Sequence, residues 1–148
     1  MSYYLGIDPD TKTTGLALVG PEGLVAVKLA RAKGQYAVDR LPGMAAAIEE
    51  AVRSLGNLVD GDLVVAIELM HIRPHERNPN SIINVQAVAG MAISSTVLLD
   101  ADAKILTPIP SKWKGTVPKP IHQKRLLAAE GIDMDDPIFG VIPKSMRN

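Results

Sequence analysis

The sequence contains no cysteine, few aromatic residues and no excess of charge of either sign. The absence of cysteine excludes disulfide bonds, thiolate metal sites and a cysteine nucleophile. The 16 basic and 16 acidic residues cancel, so net charge alone favours no class of partner. The N-terminus lacks the basic-then-apolar pattern of a signal peptide, and no apolar run approaches the roughly 20 residues that cross a bilayer. We therefore expect a cytoplasmic protein without a membrane segment.

The residues that are present favour one folded α/β domain. The chain has 148 residues, of which 47% are hydrophobic, so it is long enough to bury a core. Its periodicity predicts strands at residues 5–8, 15–19, 23–30, 62–67 and 104–107, and helices at 39–55, 82–99 and 120–130. Asp39 is the expected N-cap of the first helix. This order predicts a mixed five-stranded sheet flanked by helices, with the first three strands antiparallel and the later ones parallel.

Two strands that are far apart in sequence each end in an acid. Asp8 follows the apolar run at 5–7, and Glu68 follows the run at 62–67, which is apolar enough to predict burial on both faces. If the strands are neighbours, the carboxylates emerge side by side, and their repulsion favours a divalent cation between them. Oxygen ligands of this kind suit Mg²⁺ or Mn²⁺. Taken singly, each acid favours a surface residue at a strand end, and only the pair in its apolar context favours metal binding.

The stretch LGIDPDTKTTGLALV closely resembles the first motif of RuvC-type Holliday-junction resolvases, and VVAIELM resembles their second. NPNSIINVQAVAGMAISS is similar to the long helix that follows in that family. The resemblance covers nearly the whole chain in order, and it is closest to a small, phage-like member. It implies an RNase H-like fold, a homodimer through 82–99, and paired nicks across four-way DNA junctions in the cytoplasm (the host cytosol for a phage protein). Asp8 and Glu68 would be catalytic ligands of Mg²⁺, for which Mn²⁺ substitutes.

The C-terminal part of the chain departs from this family. RuvC-type enzymes carry two further carboxylates, three residues apart, on a last helix. Asp133 and Asp136 have that spacing, but Pro137 and Gly140 follow too closely for a helix. The two acids are therefore either metal ligands or part of a solvated acidic loop. We expect residues 1–148 to be a single nuclease domain that lacks the last catalytic helix, which would leave the chain inactive unless a tail supplies it.

Basic residues concentrate in one segment, since residues 103–129 contain no acid. Phosphate contact and a merely solvated face are the two interpretations of this segment. Its only tryptophan either stacks on a base or packs against the domain. Outside the segment, a basic side chain in the first turn and two side chains beyond the Glu68 strand could reach DNA. The resemblance to the RuvC-type family implies that a side chain near here, Met70 or His71, wedges into the junction centre. The candidate DNA-binding residues are Lys12, His71, Arg73, Lys112, Trp113, Lys114, Lys119, Lys124 and Arg125.

Two other functions fit parts of the sequence. The stretch GIDPDTKTTG also resembles the phosphate-binding opening of actin-like and sugar-kinase ATPases, which need two such domains where this chain has room for one. A non-enzymatic module that binds branched DNA without a complete metal site is the second alternative. Metal titration of the DNA-free protein separates it from a nuclease.

Overall fold

The structure of the chain is a computed structural model, and it describes residues 1–70 and 78–108. Within these residues the chain forms β1 (Ser2–Asp8), β2 (Thr13–Gly20), β3 (Gly23–Arg31), α1 (Ala37–Gly56), β4 (Asp62–Ile67), α2 (Pro79–Leu99) and β5 (Lys104–Leu106). The strands and helices that the periodicity predicts are confirmed over this part of the chain. The predicted helix at 120–130 lies outside the described residues.

The five strands form one mixed sheet in the order β3-β2-β1-β4-β5. The first three strands are an antiparallel meander, in which β2 pairs with both β1 and β3. β4 pairs parallel with β1 and with β5. Parallel neighbours need a crossover connection, and α1 and α2 supply the two that this sheet requires. The predicted α/β fold with a mixed five-stranded sheet is confirmed, and its central strand is the one that ends in Asp8.

One face of the sheet and the two helices share a hydrophobic core. Successive strand residues point to opposite faces, so every second residue of β1, β2 and β4 faces the helices, and most of these residues are buried. The largest buried side chains of this core are Leu5, Leu16, Leu18, Met44, Ile48, Leu55, Ile67, Val52, Val65 and Val88. Burial of each large side chain stabilises the fold by roughly 1.5–3 kcal/mol. The core therefore covers one face of the sheet, and the acids that end β1 and follow β4 belong to the other face.

The helices begin at different signals. The side chain of Asn78 accepts a hydrogen bond from the backbone N–H of Ser81 at 3.4 Å, and Pro79 occupies the first turn of α2. The prediction that Asp39 is the N-cap of α1 is wrong, because the helix begins two residues earlier. Its carboxylate instead accepts the backbone N–H of Tyr36 at 3.1 Å. A carboxylate in the first turn still satisfies an N–H that lacks a helical partner and favours the positive end of the helix dipole.

β4 is less covered than its apolar run predicts. Leu63, Val65 and Ile67 are buried, whereas Val64 and Ala66 are only half-buried. The prediction of burial on both faces is therefore wrong, because the described helices cover only one face of the sheet, and on the other face even the central strand β1 is exposed at Tyr4 and Gly6. The half-buried positions lie on the face of the sheet opposite the helices.

α2 is long and apolar enough to cross a membrane by length and composition alone, with a mean hydropathy of 1.7. The expectation that no apolar segment reaches that length is therefore wrong, although core helices of globular proteins pass the same test. One side of α2 packs against α1 and β4. Its other side exposes Ile83, Val97 and Leu98, and only 28% of the apolar segment is buried.

Candidate functional site

The backbone register places the two acids side by side. In the parallel pairing of β1 with β4, Gly6 lies opposite Ala66 and Ile7 lies opposite Ile67. The backbone N–H of Glu68 then donates to the carbonyl oxygen of Ile7 at 3.3 Å, which continues the ladder beyond the last residue of β4. Asp8 and Glu68 are therefore neighbours across one strand spacing of about 4.8 Å.

Both acids belong to the face of the sheet that the helices do not cover. Ile7 and Ile67 are buried in the core, and the residue that follows each of them points to the opposite face. Asp8 is exposed and Glu68 is half-buried. Two carboxylates so close repel each other, and a divalent cation relieves that repulsion. The donor set consists of oxygen atoms only, and Mg²⁺ prefers such ligands.

The sheet beside the acids is lined by small residues. Asp8 pairs with Gly15, and Gly6 pairs with Ala17 in the neighbouring strand. A Cβ placed on Gly15 would meet no atom within 4 Å among the described residues. Sequence reasoning missed this surface, although glycine inside a strand often marks a place that a ligand or another backbone approaches closely. Among the described residues, the carboxylate pair therefore borders an open floor of small side chains around Gly15.

A hydrogen-bond network fixes the turn that follows Asp8. The carboxylate Oδ1 of Asp10 accepts the backbone N–H of Thr11 at 2.7 Å. The hydroxyl of Thr14 donates to the carbonyl oxygen of Asp10 at 2.8 Å and accepts the backbone N–H of the same residue at 3.1 Å. Because Thr14 is fully buried, these two bonds satisfy a hydroxyl group that water cannot reach. The turn is thus held from inside the domain.

Arg40 holds the same turn from α1. Its guanidinium donates to the carbonyl oxygen of Thr11 at 3.2 Å and to the Thr11 hydroxyl at 3.1 Å. It also donates to the carbonyl oxygens of Gly34 at 3.0 Å and Gln35 at 3.4 Å. Sequence reasoning missed this residue because its partner lies 29 positions away. The available signal was a cation in the first turn of a helix, where the dipole disfavours it and a specific partner is needed.

The loop beyond β4 is tied to α2. The side-chain amide of Gln86 donates to the carbonyl oxygen of Met70 at 2.9 Å, and the side chain of Met70 is 41% exposed. The amide oxygen of Gln86 is buried without a hydrogen-bond partner in the part of the chain that the structure describes. This contact sets where the chain leaves the sheet beside Glu68.

The structure describes only part of the predicted site. Lys12 is exposed in the turn after Asp8, and its carbonyl oxygen accepts the backbone N–H of Ala32 at 3.2 Å. Across residues 1–70 and 78–108 no group of three or more acids or histidines is placed to hold a metal, so Asp8 and Glu68 stand as a pair there. The remaining predicted residues, His71, Arg73, Lys112, Trp113, Lys114, Lys119, Lys124, Arg125, Asp133 and Asp136, lie outside the described residues.

The fold is similar to that of solved structures of RuvC from Thermus thermophilus. The structure of T. thermophilus RuvC in complex with Holliday junction substrate matches with a TM-score of 0.70 and 17% identity, over 90% of this chain and 81% of that chain. A second T. thermophilus RuvC structure matches with a TM-score of 0.58 and 19% identity, over 88% of this chain and 81% of the other. No protein-family model and no curated protein matches the sequence. The RuvC-type, RNase H-like fold that the two sequence motifs imply is confirmed.

Proposed function

We propose that this protein is a Mg²⁺-dependent endonuclease that resolves four-way DNA junctions by paired nicks. The observation that carries the proposal is the register of β1 against β4, which sets Asp8 beside Glu68 on the face of a RuvC-like sheet that α1 and α2 do not cover. The similar T. thermophilus RuvC has been solved in complex with Holliday junction substrate, which supports the same class of substrate for this chain.

The residues present fit a magnesium site. Asp8 and Glu68 supply negatively charged oxygen ligands from two rigid strands, and the open floor beside Gly15 leaves room for a phosphodiester. Mg²⁺, when bound, supplies a Lewis acid that lowers the pKa of a coordinated water and stabilises charge on the phosphate; Mn²⁺ substitutes for it. Asp8 and Glu68 themselves would hold the metal ion and fix its position against the sheet. Further ligands would come from Asp133 and Asp136, within one nuclease domain.

Basic residues around the Asp8–Glu68 pair would contact the DNA. Lys12 lies in the turn directly after Asp8 and is exposed. His71 and Arg73 follow the Glu68 strand in sequence, and the basic segment from Lys112 to Arg125, with Trp113, would supply further phosphate and stacking contacts. Lysine and arginine contacts to phosphates carry no sequence information, so they suit an enzyme that selects a branched shape.

The side of α2 that packs against no other described element supports homodimerisation through this helix. Ile83 is 53% exposed, Val97 is 45% exposed and Leu98 is 84% exposed, although they lie on the most apolar helix in the described part of the chain. Gly90, near the middle of the helix, would let a second backbone come close. A symmetric dimer would present two carboxylate pairs to the two strands that are cut. Such a role for α2 also accounts for its apolar length without a membrane, in a cytoplasmic protein.

The experiment that tests the proposal is a gel assay on a mobile four-way junction and on a linear duplex of the same sequence, each with and without Mg²⁺. Paired, symmetric nicks in the junction alone, and only with the metal, are the expected result. Equal cutting of the linear duplex would contradict junction selectivity, and metal-independent cutting would contradict the role of the carboxylates.

One observation favours a second candidate, a module that binds branched DNA without cutting it. Among the residues that the structure describes, the site consists of two carboxylates and no third. Titration of the DNA-free protein with Mn²⁺, followed by electron paramagnetic resonance, separates the two functions. A nuclease site binds the ion at micromolar to millimolar concentration and loses it in Asp8→Asn, whereas the binding module leaves the free-ion signal unchanged.

A further inference from the structure

Backbone hydrogen bonds hold the chain at the point where it leaves β4. The N–H of Glu68 donates to the carbonyl oxygen of Ile7 in β1 at 3.3 Å, and the N–H of Leu69 donates to the carbonyl oxygen of Pro108, beyond β5, at 3.2 Å. Any residue other than proline could make these two bonds, because the donors belong to the main chain. The neighbouring strands therefore fix the chain as far as Leu69, one residue beyond the proposed ligand.

The next residue, Met70, is held by a side chain. The amide Nε2 of Gln86 donates to the carbonyl oxygen of Met70 at 2.9 Å. A carbonyl oxygen can only accept, so the NH2 end of the amide must face Met70 and its oxygen must point elsewhere. Gln86 belongs to α2, and that helix packs against β4. This bond therefore ties the residue two positions after Glu68 to the helix that supports the strand.

Gln86 lies among buried apolar residues of α2. Ile82 comes four residues before it and Ala89 three residues after it, and both are buried. Residues at these spacings are neighbours on a helix surface, so Gln86 belongs to the side of α2 that faces the domain. An apolar side chain would suit this position better than an amide if packing were its only task. Packing therefore does not explain why the position holds glutamine.

The oxygen of the same amide is buried at a cost. Within residues 1–70 and 78–108, the Oε1 of Gln86 has no hydrogen-bond partner. An unpaired buried acceptor typically costs as much free energy as a neutral hydrogen bond contributes, or more. The bond to Met70 therefore adds little to the stability of the fold as a whole. Its effect is local, because it fixes the backbone beside Glu68.

We propose that Gln86 is a positioning residue for the metal site: it fixes the backbone at Met70 and thereby the place of the Glu68 carboxylate. This inference rests on the proposed function and adds to it a residue that acts through the main chain rather than on the metal ion itself. Groups that orient a metal ligand typically change metal affinity or activity by about 10–100-fold when they are removed. A displacement of about 1 Å near the reacting groups can cost about a hundredfold in rate.

The test replaces the amide by apolar side chains of similar size. Gln86→Leu and Gln86→Met both remove the donor to Met70, and methionine repeats the test with an unbranched, adaptable side chain. Asn84→Leu is the matched control, since it replaces another half-buried amide of α2, two residues away. Electron paramagnetic resonance follows Mn²⁺ binding to the DNA-free protein, and the nicking rate is measured at saturating junction. Fluorescence anisotropy in Ca²⁺ gives junction affinity, and thermal melting without divalent ions gives stability.

We expect both Gln86 variants to bind Mn²⁺ about 10–100-fold more weakly and to nick more slowly by a similar factor, whereas Asn84→Leu matches wild type. Their melting temperature and junction affinity should not fall, because Met70 lies at the surface, where water can satisfy its carbonyl oxygen.

Three results would overturn this inference and leave the proposed function standing. The Gln86 variants could bind Mn²⁺ and nick like wild type, or lose metal affinity only together with melting temperature, which would show a merely structural role. They could instead lose junction affinity, which would show a contact to DNA. If wild type itself neither binds Mn²⁺ nor nicks junctions, the proposed function and this inference both fail.

Discussion

The backbone N–H of Glu68 donates a hydrogen bond of 3.3 Å to the carbonyl oxygen of Ile7, the residue that precedes Asp8. This bond belongs to the sheet rather than to a loop, so the two acids are neighbours whatever rotamers their side chains adopt. A slip of β4 by one residue would send Glu68 to the face that the helices cover. The carboxylate pair therefore depends on strand register, which the buried residues of both strands specify.

The first prediction concerns the carboxylate pair. We expect Asp8→Asn to lower the rate of junction nicking by roughly a thousandfold or more, because a neutral amide is a poor ligand for the divalent ion that stabilises the transition state. Affinity for the junction, measured by gel shift in Ca²⁺, is expected to change little. Asp62→Asn is the control, since it neutralises an exposed acid at the far end of β4 and should cut at the wild-type rate. Cutting that survives Asp8→Asn would overturn the mechanism.

The second prediction separates two buried threonines. Thr14 and Thr96 are both fully buried, and valine has nearly the same shape. Thr14→Val removes two hydrogen bonds to the Asp10 backbone, so we expect the free energy of unfolding to fall by about 1–3 kcal/mol. Thr96 donates only to the carbonyl oxygen of Ala92, one helical turn earlier, so Thr96→Val should cost less than about 1 kcal/mol.

Urea unfolding of the two valine variants, followed by circular dichroism, measures this difference directly. Equal losses of stability would show that the hydrogen bonds between Thr14 and Asp10 stabilise the fold no more than the bond from Thr96 to Ala92 does. Thr14→Val is also expected to weaken Mn²⁺ binding, because the turn that it loosens begins at a proposed ligand, whereas Thr96→Val should not.

Local patterns account for the part of this structure that the sequence predicts. Alternation in β1 and helical spacing in α1 are properties of neighbouring residues, so the elements and the acids that follow two of them could be read directly. The metal-site prediction assumed that β1 and β4 are neighbours. The sequence could not show this, because strand pairing joins residues that are far apart in the chain. The contacts of Arg40 could not be predicted either, because its partner Thr11 lies 29 positions away in the chain. The burial of β4 was overestimated because an apolar run does not show whether helices cover one face of the sheet or both.

The third prediction concerns Arg40. Lysine cannot reproduce the fork that donates to both oxygens of Thr11 and to the loop at Gly34. We expect Arg40→Lys to lower the free energy of unfolding by about 1–3 kcal/mol, since Thr11 is buried and its carbonyl oxygen loses a charged donor. Arg53→Lys is the control, because that arginine pairs with Glu49 on the exposed face of the same helix. Exposed pairs of this kind contribute about 0.3–0.5 kcal/mol.

Thermal and urea unfolding of the two lysine variants give the comparison. If Arg40→Lys unfolds like wild type, the contacts of the guanidinium do not hold the turn after Asp8, and the role that we assign to Arg40 is wrong. A loss of stability in Arg53→Lys as large as that in Arg40→Lys would point instead to a general sensitivity of α1.

The last prediction concerns the uncovered side of α2, where Ile83, Ala87, Gly90, Ser94 and Val97 recur at helical spacing and the first and last of them are large and exposed. We expect Gly90→Arg to convert a homodimer into a monomer, because a long cation at the centre of this stripe prevents close approach of two helices. A Cβ at Gly90 would meet no described atom within 4 Å, and arginine is a better helix former than glycine. The monomer should therefore be at least as stable as wild type.

Sedimentation equilibrium gives the mass of each variant, with Ala46→Arg on the exposed side of α1 as the matched control that should remain dimeric. A dimeric Gly90→Arg would place the interface elsewhere, and an unfolded one would show that the helix face is covered within the domain. The consequence for cutting follows from geometry, since paired nicks need two carboxylate pairs held at a fixed separation. A folded monomer should therefore nick junctions one strand at a time, and singly nicked junctions should accumulate before any resolved product appears.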